Sequence, residues 1–307
     1  MDGPLQLSVI IPHLNEPDDL RRCLLSLNAQ HADGIPFEII VVDNGSTEMP
    51  EAACSHIQNL RLERESLPGP GPARNLGASL ARAEILAFID SDCIAQPGWV
   101  RAIVGYMARN PDIDLIGGDI GVLLDNPACP SAIESYENIY SYRARVYVER
   151  YGFAATGNMA VRARVFQSVG PFGGIATMED TEWGQRATRL GYRIAFLPEA
   201  RVLTPSCKSF AELARRWDRH VAHEYGKVSG RRTAMLRWFV DCAIVLASPL
   251  AESIKILRTD RVSGMRNRLL AMACLTRIRL HRGRRMFDLA LRGGSSRFVE
   301  SWNRERS

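Results

Sequence analysis

Asp90-Ser91-Asp92 holds two carboxylates one residue apart. Oxygen-rich pairs of this kind suit a hard cation, Mg²⁺ or Mn²⁺, which also accepts phosphate oxygens. An ion held there would neutralise charge developing on a departing diphosphate. The plainer alternative is a solvated turn that caps a helix, since D-x-D is frequent by chance. Glu179-Asp180 offers a second acidic pair. One of these acids could take a proton from a hydroxyl, but acids at a helix start also complement the helix dipole, and spacing alone favours that role. Asp43 could accept hydrogen bonds from a base or ribose, and Asp43-Asn44-Gly45 equally suits a turn. Asn15-Glu16 could contact a ligand or cap a helix. Arg74 follows a Gly/Pro-rich run, residues 68–73, that leads into a helix. Helix N-termini attract anions, and an arginine there adds a charge-assisted donor; a solvated surface arginine is the simpler view. Arg216 could hold a diphosphate, Trp217 could stack on a sugar, and His220 could complete a metal site. A basic amphipathic face packed on the sheet is the competing account.

These residues need a scaffold, and the pattern of apolar runs supplies one. Residues 7–11, 37–42 and 84–89 are apolar runs of strand length, each with a single polar residue (Ser8, Glu38, Glu84), separated by helical patterns at 17–30 and 72–82. Such runs imply a mainly parallel sheet covered on both faces by helices. Ligands in these sheets bind beyond the carboxyl ends of the strands. The segments starting at Pro12, Asp43 and Asp90 each follow a strand, so all three are expected on one rim. Ile116-Gly117-Gly118 and Ala155-Thr156-Gly157-Asn158 read as strand ends or tight turns, and residues 131–150 as helical. Met178 to Trp183 opens another helix, closed at Gly191, and residues 192–197 form a strand. From about residue 208 the chain is helical and Arg-rich.

Composition is that of a globular protein: 307 residues, 46% apolar, 24% charged, with net charge +5. The seven cysteines are scattered and form no C-x-x-C pair, which argues against zinc and disulfides and for a reducing compartment. The first residues lack a basic n-region and the apolar run is short for a leader, so a cytoplasmic protein is expected.

Six segments, in order and spacing, resemble family 2 glycosyltransferases of the GT-A type. They are Ser8–Glu16, Glu38–Thr47, Ala73–Gly77, Phe88–Asp92, Gly157–Arg162 and Glu179–Trp183. The resemblance implies an inverting enzyme that transfers a sugar from a nucleotide sugar, UDP-linked by preference, with Mn²⁺ or Mg²⁺. By this likeness Pro12, Asn15 and Glu16 line the nucleotide pocket and Asp43 contacts the base. Arg74 approaches the phosphates, Asp90 with Ser91 the ribose side, and Asp92 binds the metal. Asp180 is the general base, with Glu179 beside the acceptor, and Gly157-Asn158 border the donor sugar and acceptor. The implied layout is a catalytic domain over 1–207, with a nucleotide-sugar half (1–110) and an acceptor half (111–207). A helical extension over 208–307 follows. Two departures stand out. Asn44 occupies a position that is Asp in many members, and Leu213 replaces the Gln of the Gln-x-x-Arg-Trp motif of processive synthases. A single-sugar transfer to a glycan or lipid-linked acceptor, in cell-surface or exopolysaccharide synthesis, is therefore expected.

Between residues 258 and 285 lie nine arginines and one acid, Asp260, interleaved with Leu, Ile and Met. This reads either as an anionic membrane contact at the inner face of the plasma membrane, or as a basic helix folded onto the protein. Nucleic acid is not an expected partner, for want of an aromatic platform. A nucleotidyltransferase of related fold and a catalytically silent glycan-binding relative are the competing classes. The oligomeric state is not legible.

Overall fold

The computed structural model describes residues 4–174, 178–228 and 232–292. Its strands are β1 (Leu7–His13), β2 (Phe37–Asp43), β3 (Leu60–Arg64), β4 (Ile85–Ile89), β5 (Ile94–Ala95), β6 (Leu115–Leu123), β7 (Asn158–Arg162) and β8 (Ile194–Pro205). The helices are α1 (Pro17–Asn28), α2 (Glu51–Cys54), α3 (Pro70–Leu80), α4 (Trp99–Arg109), α5 (Ala132–Tyr140), α6 (Ala144–Tyr151), α7 (Ala163–Val169), α8 (Glu179–Arg189), α9 (Phe210–Val228), α10 (Arg232–Arg258) and α11 (Met265–Arg292). Packing divides the chain into two compact units. One comprises the residues up to Gly121 together with Arg143–Thr204; the other comprises Val122–Tyr142 and the chain from Pro205 through α11. The segment 131–150, expected as one helical stretch, forms α5 in the second unit and α6 in the first.

In the first unit the strand order is β3-β2-β1-β4-β7-β6-β8-β5. β1, β2 and β4 are buried along their whole length, as two-sided cover by helices demands. β1 runs parallel to β2, with His13 opposite Asp43, and parallel to β4, with Ile10 opposite Phe88. The carboxyl ends of the three strands therefore share one rim. Pro12 lies past the last β1–β4 pair, so its missing N–H interrupts no ladder on that side. Beyond β4 the sheet is antiparallel, through β7 to β6 and again between β8 and β5. Gly117 and Gly118, expected at a strand end, sit within β6. A side chain at Gly118 would collide with the Ala200 carbonyl and the Asn158 amide.

The core of this unit gathers around Phe88, Phe166, Phe172 and Trp183, whose rings contact one another. α3 packs against this core through Ala78 and against a smaller cluster in which Ile40, Val42 and Ala73 are buried together. Gly77 makes that approach possible: a carbon added there would come within 2.5 Å of an Ile10 methyl.

The second unit is built on α5, α9, α10 and α11. α5 begins with a capping box between Ser131 and Glu134. Leu275, Ile278 and Ala271 of α11 are fully buried, next to Leu213 and Ile256. The arginines of 258–285 are used largely inside this unit. Arg282 lies over Trp217, Arg277 over Phe210, Arg279 pairs with Glu252 and Arg285 with Asp218. No helix among the described residues is long and apolar enough to cross a membrane.

Gly77→Val is expected to destabilise the protein by about 1–3 kcal/mol through overpacking. Gly226→Ala, on α9 where an added carbon meets nothing among the described residues, is expected to stabilise it by up to about 1 kcal/mol. Urea unfolding midpoints of the two variants check both signs.

Candidate active site

The rim begins with two loops that clamp each other. His13 ends β1 and is buried beside the fully buried Asp43 of β2, its Nδ1 lying 3.2 Å from Asp43 Oδ1. The Glu16 N–H donates to His13 Nε2, so the ring proton sits on Nδ1 and faces Asp43. Asp43 Oδ2 accepts from the N–H groups of Gly45 and Ser46. Asn15 has a left-handed backbone (φ 55°), which Asn tolerates better than most residues. Its N–H donates to Ser46 Oγ, and its Oδ1 accepts from the Thr47 N–H. Pro12 and Asp43 are thus buried beneath the rim, and Asn15 and Glu16 are partly exposed on it. With 0% exposure, the Asp43 carboxylate orders the loop and presents no surface to a base.

Asn44 is held on both sides of its side-chain amide. Its Nδ2 donates to the carbonyls of Glu65 and Leu67, and its Oδ1 accepts from the Gly69 N–H at 2.6 Å. A carboxylate could not make the two donations. These bonds fix the loop that feeds α3 through Gly69, whose φ of 121° favours glycine.

Arg74, on the first turns of α3, is the hub. It is almost fully buried, and its two terminal nitrogens point to different carboxylates. Nη2 donates to Asp90 Oδ1 at 2.6 Å and Nη1 to Glu179 Oε1 at 2.9 Å. Burial opposes the charge on Arg74, but Asp90 and Glu179 outweigh it and hold the guanidinium above its ordinary pKa. The neighbouring Asn75 grips the Phe172 backbone at both its N–H and its carbonyl. α3 therefore ties the end of β4 to the segment that precedes α8.

Asp90 follows β4, with Ser91 buried behind it. Gly157 lies so close that a side chain there would strike Asp90 Oδ2 at 2.8 Å. Asp92 is partly buried, and its carboxyl is pushed up to about 7 by burial, by Asp90, and by Glu16 and Asp19. Negative charge is thus concentrated beyond β4. Among the described residues no three His, Cys, Asp or Glu side chains converge as a metal cage requires. An ion at Asp92 and Asp90 would take its other ligands from water and substrate phosphates, which is ordinary for Mg²⁺.

Asp180 sits in the first turn of α8, beside Glu179. Burial and then Glu179 raise its carboxyl to about 6, against the pull of hydrogen bonds from Thr181 and the charge of Arg74. The Thr181 N–H and hydroxyl both donate to Oδ1, which leaves Oδ2 outside these bonds.

Other expected site residues turn inward. Asn158 is buried and saturated: Nδ2 donates to the carbonyls of Asp119 and Ala200, and Oδ1 accepts from the Trp99 indole. It braces β7, β6, β8 and α4. Arg216, Trp217 and His220 belong to the second unit and have partners there. Arg216 pairs with the buried Glu137 at 2.6 Å, Trp217 packs under Arg282, and the His220 ring lies 5.6 Å from Trp217. Two residues escaped notice in the sequence, His13 and Asn75, and Asn44 stood out only as a departure from the family pattern. Each lay inside a quoted segment, yet only its hydrogen bonds across the fold reveal its part.

The glycosyl transferase family 2 model matches residues 8–170, more than half of the chain. Glycosyltransferase AglE of Haloferax volcanii is 28% identical over 296 residues, covering 92% of this chain and 96% of that protein. Among solved structures, the mannosyltransferase PcManGT from Pyrobaculum calidifontis, in complex with GDP-Man and Mn²⁺, superposes with a TM-score of 0.60 at 16% identity. That likeness covers 94% of this chain and 89% of the other. S. aureus TarS 1–349, in complex with UDP-GlcNAc, gives a TM-score of 0.53 at 16% identity, covering 90% and 91%. These structural likenesses identify the fold as GT-A. With the family model spanning the rim loops, Arg74, the Asp90 turn and Gly157, the chain belongs to glycosyl transferase family 2 and is a glycosyltransferase.

Proposed function

We propose that this enzyme moves one sugar from a nucleoside-diphosphate sugar, UDP-linked by preference, to a hydroxyl of a glycan or lipid-linked acceptor, with inversion. The observation that carries this reading is the buried Arg74 guanidinium held between Asp90 and Glu179. It couples a leaving-group station at Asp90 and Asp92 to a proton-accepting station at Glu179 and Asp180. The two solved neighbours named above hold a GDP-linked and a UDP-linked sugar, so a nucleotide-sugar donor accords with the fold. The preference for uracil rests on the sequence resemblance.

In this mechanism Asp180 takes the acceptor hydroxyl's proton onto Oδ2. The hydroxyl oxygen attacks the anomeric carbon from the face opposite the nucleotide. The bond from that carbon to the diphosphate oxygen breaks, its electron pair leaves with the diphosphate, and the configuration inverts. A carboxyl raised to about 6 is a stronger base than an ordinary one and is still ionised near neutral pH. Asp92 and Asp90 fit a divalent ion, because the crowding that raises Asp92 is the crowding a cation relieves. Bound there, Mn²⁺ or Mg²⁺ would offset the charge of the diphosphate. Arg74, Gly157 and the clamped loops keep the two carboxylates apart and oriented. Arg216, Trp217 and His220 have no step in this mechanism. The work is assigned to the cytoplasm, in cell-surface or exopolysaccharide synthesis, with an anionic membrane within reach of residues 258–285.

Asp180→Asn is expected to lower turnover by about 10²–10⁴-fold while donor binding persists. In the unchanged enzyme activity should rise with pH through about 6, as Asp180 loses its proton. Stability moves oppositely. A carboxyl whose folded-state pKa is raised costs stability as pH rises from its ordinary range through about 6. The Asn variant should therefore melt higher than the parent at pH 8 and equally at pH 4. Near-normal turnover by a folded, donor-binding variant removes Asp180 from its role.

A thermal-shift panel of UDP- and GDP-sugars, with and without Mn²⁺, tests the donor. UDP-sugars with metal should stabilise by about 2.7 kcal/mol at a hundredfold excess over Kd, and transfer should release a nucleoside diphosphate. Stabilisation by GDP-sugars alone reassigns the base, and silence from every nucleotide sugar defeats the donor reading.

A further inference from the structure

The second unit carries a surface that water alone does not explain. α10 is 27 residues long, about 40 Å at 1.5 Å per residue. Leu236, Val240, Ile244, Leu250, Ile254 and Leu257 recur at helical spacing, with Ala247 filling the gap, and every one is exposed. Leu236 is 72% exposed and Leu250 82%. Between Asp241 and Glu252 the helix has no charged residue at all. The inner face of α10 is the more polar in places. Glu252 pairs there with Arg279, and the Trp238 indole donates to the Met286 carbonyl. Leu246 reaches α11 at Gly283, where a side chain would collide with it. The apolar face continues onto α11, where Phe287 meets Phe239 edge-on with ring centroids 6.2 Å apart and Leu280 is also exposed.

We infer that this face of α10, continued by Leu280 and Phe287 of α11, lies in the headgroup region of an anionic lipid bilayer. Charge complementarity decides between occupants. Arg237 and Arg258 are exposed at the two ends of the apolar stripe, and Arg266 and Arg284 on α11 are exposed as well, so cations outnumber Asp241, the one exposed acid of α10 and α11 among the described residues; Lys255 is engaged by Glu252 and the Tyr140 ring. An apolar stripe with cationic ends is the pattern of a helix lying in the interfacial plane and drawn to acidic headgroups. A second copy would set this rim against its own like charges, because a twofold interface joins the same patch to itself. Spanning is excluded by the opposite face, where Trp238, Cys242 and Ile256 are buried within the protein. The contact thus falls mainly on residues 236–257, before the arginine-rich stretch to which the sequence pointed. The inference gives the lipid-linked acceptor reading its surface, yet it is measured without sugar transfer, so either can fail alone.

Flotation of the full chain with vesicles provides the test. Equal parts of phosphatidylcholine and phosphatidylglycerol should carry the protein upward, and phosphatidylcholine alone should not. Leu250→Glu with Ile254→Glu should weaken binding by about tenfold or more per residue. Arg237→Glu with Arg258→Glu should weaken it by several-fold per residue and flatten its salt dependence. These side chains are exposed, so melting temperatures should stay unchanged, which separates lost binding from lost folding. Failure to float with the anionic vesicles overturns the inference, as does undiminished flotation of the Leu250/Ile254 variant. A concentration-dependent dimer in sedimentation that the same variant abolishes would assign the face to a second copy instead.

Discussion

The site depends on one buried cation. Removing a guanidinium from water costs several kcal/mol unless carboxylates in good geometry compensate it, and Arg74 is almost wholly buried. Its two terminal nitrogens meet Asp90 and Glu179 at 2.6 and 2.9 Å. Neither carboxylate can drift far without stranding the charge. Asp90 follows a parallel strand and Glu179 opens α8, so the ion pairs fix the spacing of elements that no sheet ladder joins. The same cation lowers the local build-up of negative charge, though not enough to keep Asp92 and Asp180 in the ordinary carboxylate range.

A buried hub requires rigid neighbours, and three asparagines supply them. Asn44 holds the loop before α3, Asn75 holds the Phe172 backbone, and Asn158 binds three strands and a helix. An amide suits each place because it donates and accepts at once, so it satisfies carbonyl and N–H groups that strand ends leave open. Asp at any of the three would lose the donations and add an uncompensated charge. Around the site, then, ionised groups have a counter-charge, partial solvent or, at Asp43, donated N–H groups, and neutral amides occupy the rest.

Much of this was legible in the sequence. The apolar runs at 7–11, 37–42 and 84–89 became the buried parallel strands, because a strand covered on both faces needs no polar alternation. The antiparallel half was harder. β6 contains Gly117-Gly118, which resembles a turn locally and is explained only by the approach of Asn158 and Ala200 from elsewhere. The acids and Arg74 were singled out by type, but Arg74 and Glu179 stand 105 residues apart, and no periodicity reports a pairing at that separation. Burial was likewise invisible: Asp43 and Asn158 have the types of ligand-binding residues and serve as internal braces. His13 was passed over because a lone histidine at a strand end has no pattern. Only the Asp43 carboxylate on one side and the Glu16 N–H on the other give it a role.

The second unit shows the limit from the opposite direction. A count of charges marks residues 258–285 as a basic surface, yet an arginine is also a long apolar stem with a planar head that stacks on rings. Arg277 and Arg282 do so, at 3.8 and 3.9 Å from the ring centroids of Phe210 and Trp217, and Arg216 satisfies the buried Glu137. Once those heads are engaged, the net charge of the segment overstates what it offers to a partner. The uncharged stretch of α10 has the composition of a core segment, and most of it is left outside. Composition records what a segment could contact; which face is turned outward is decided by packing, and here α11 covers the face of α10 that carries Trp238, Cys242 and Glu252.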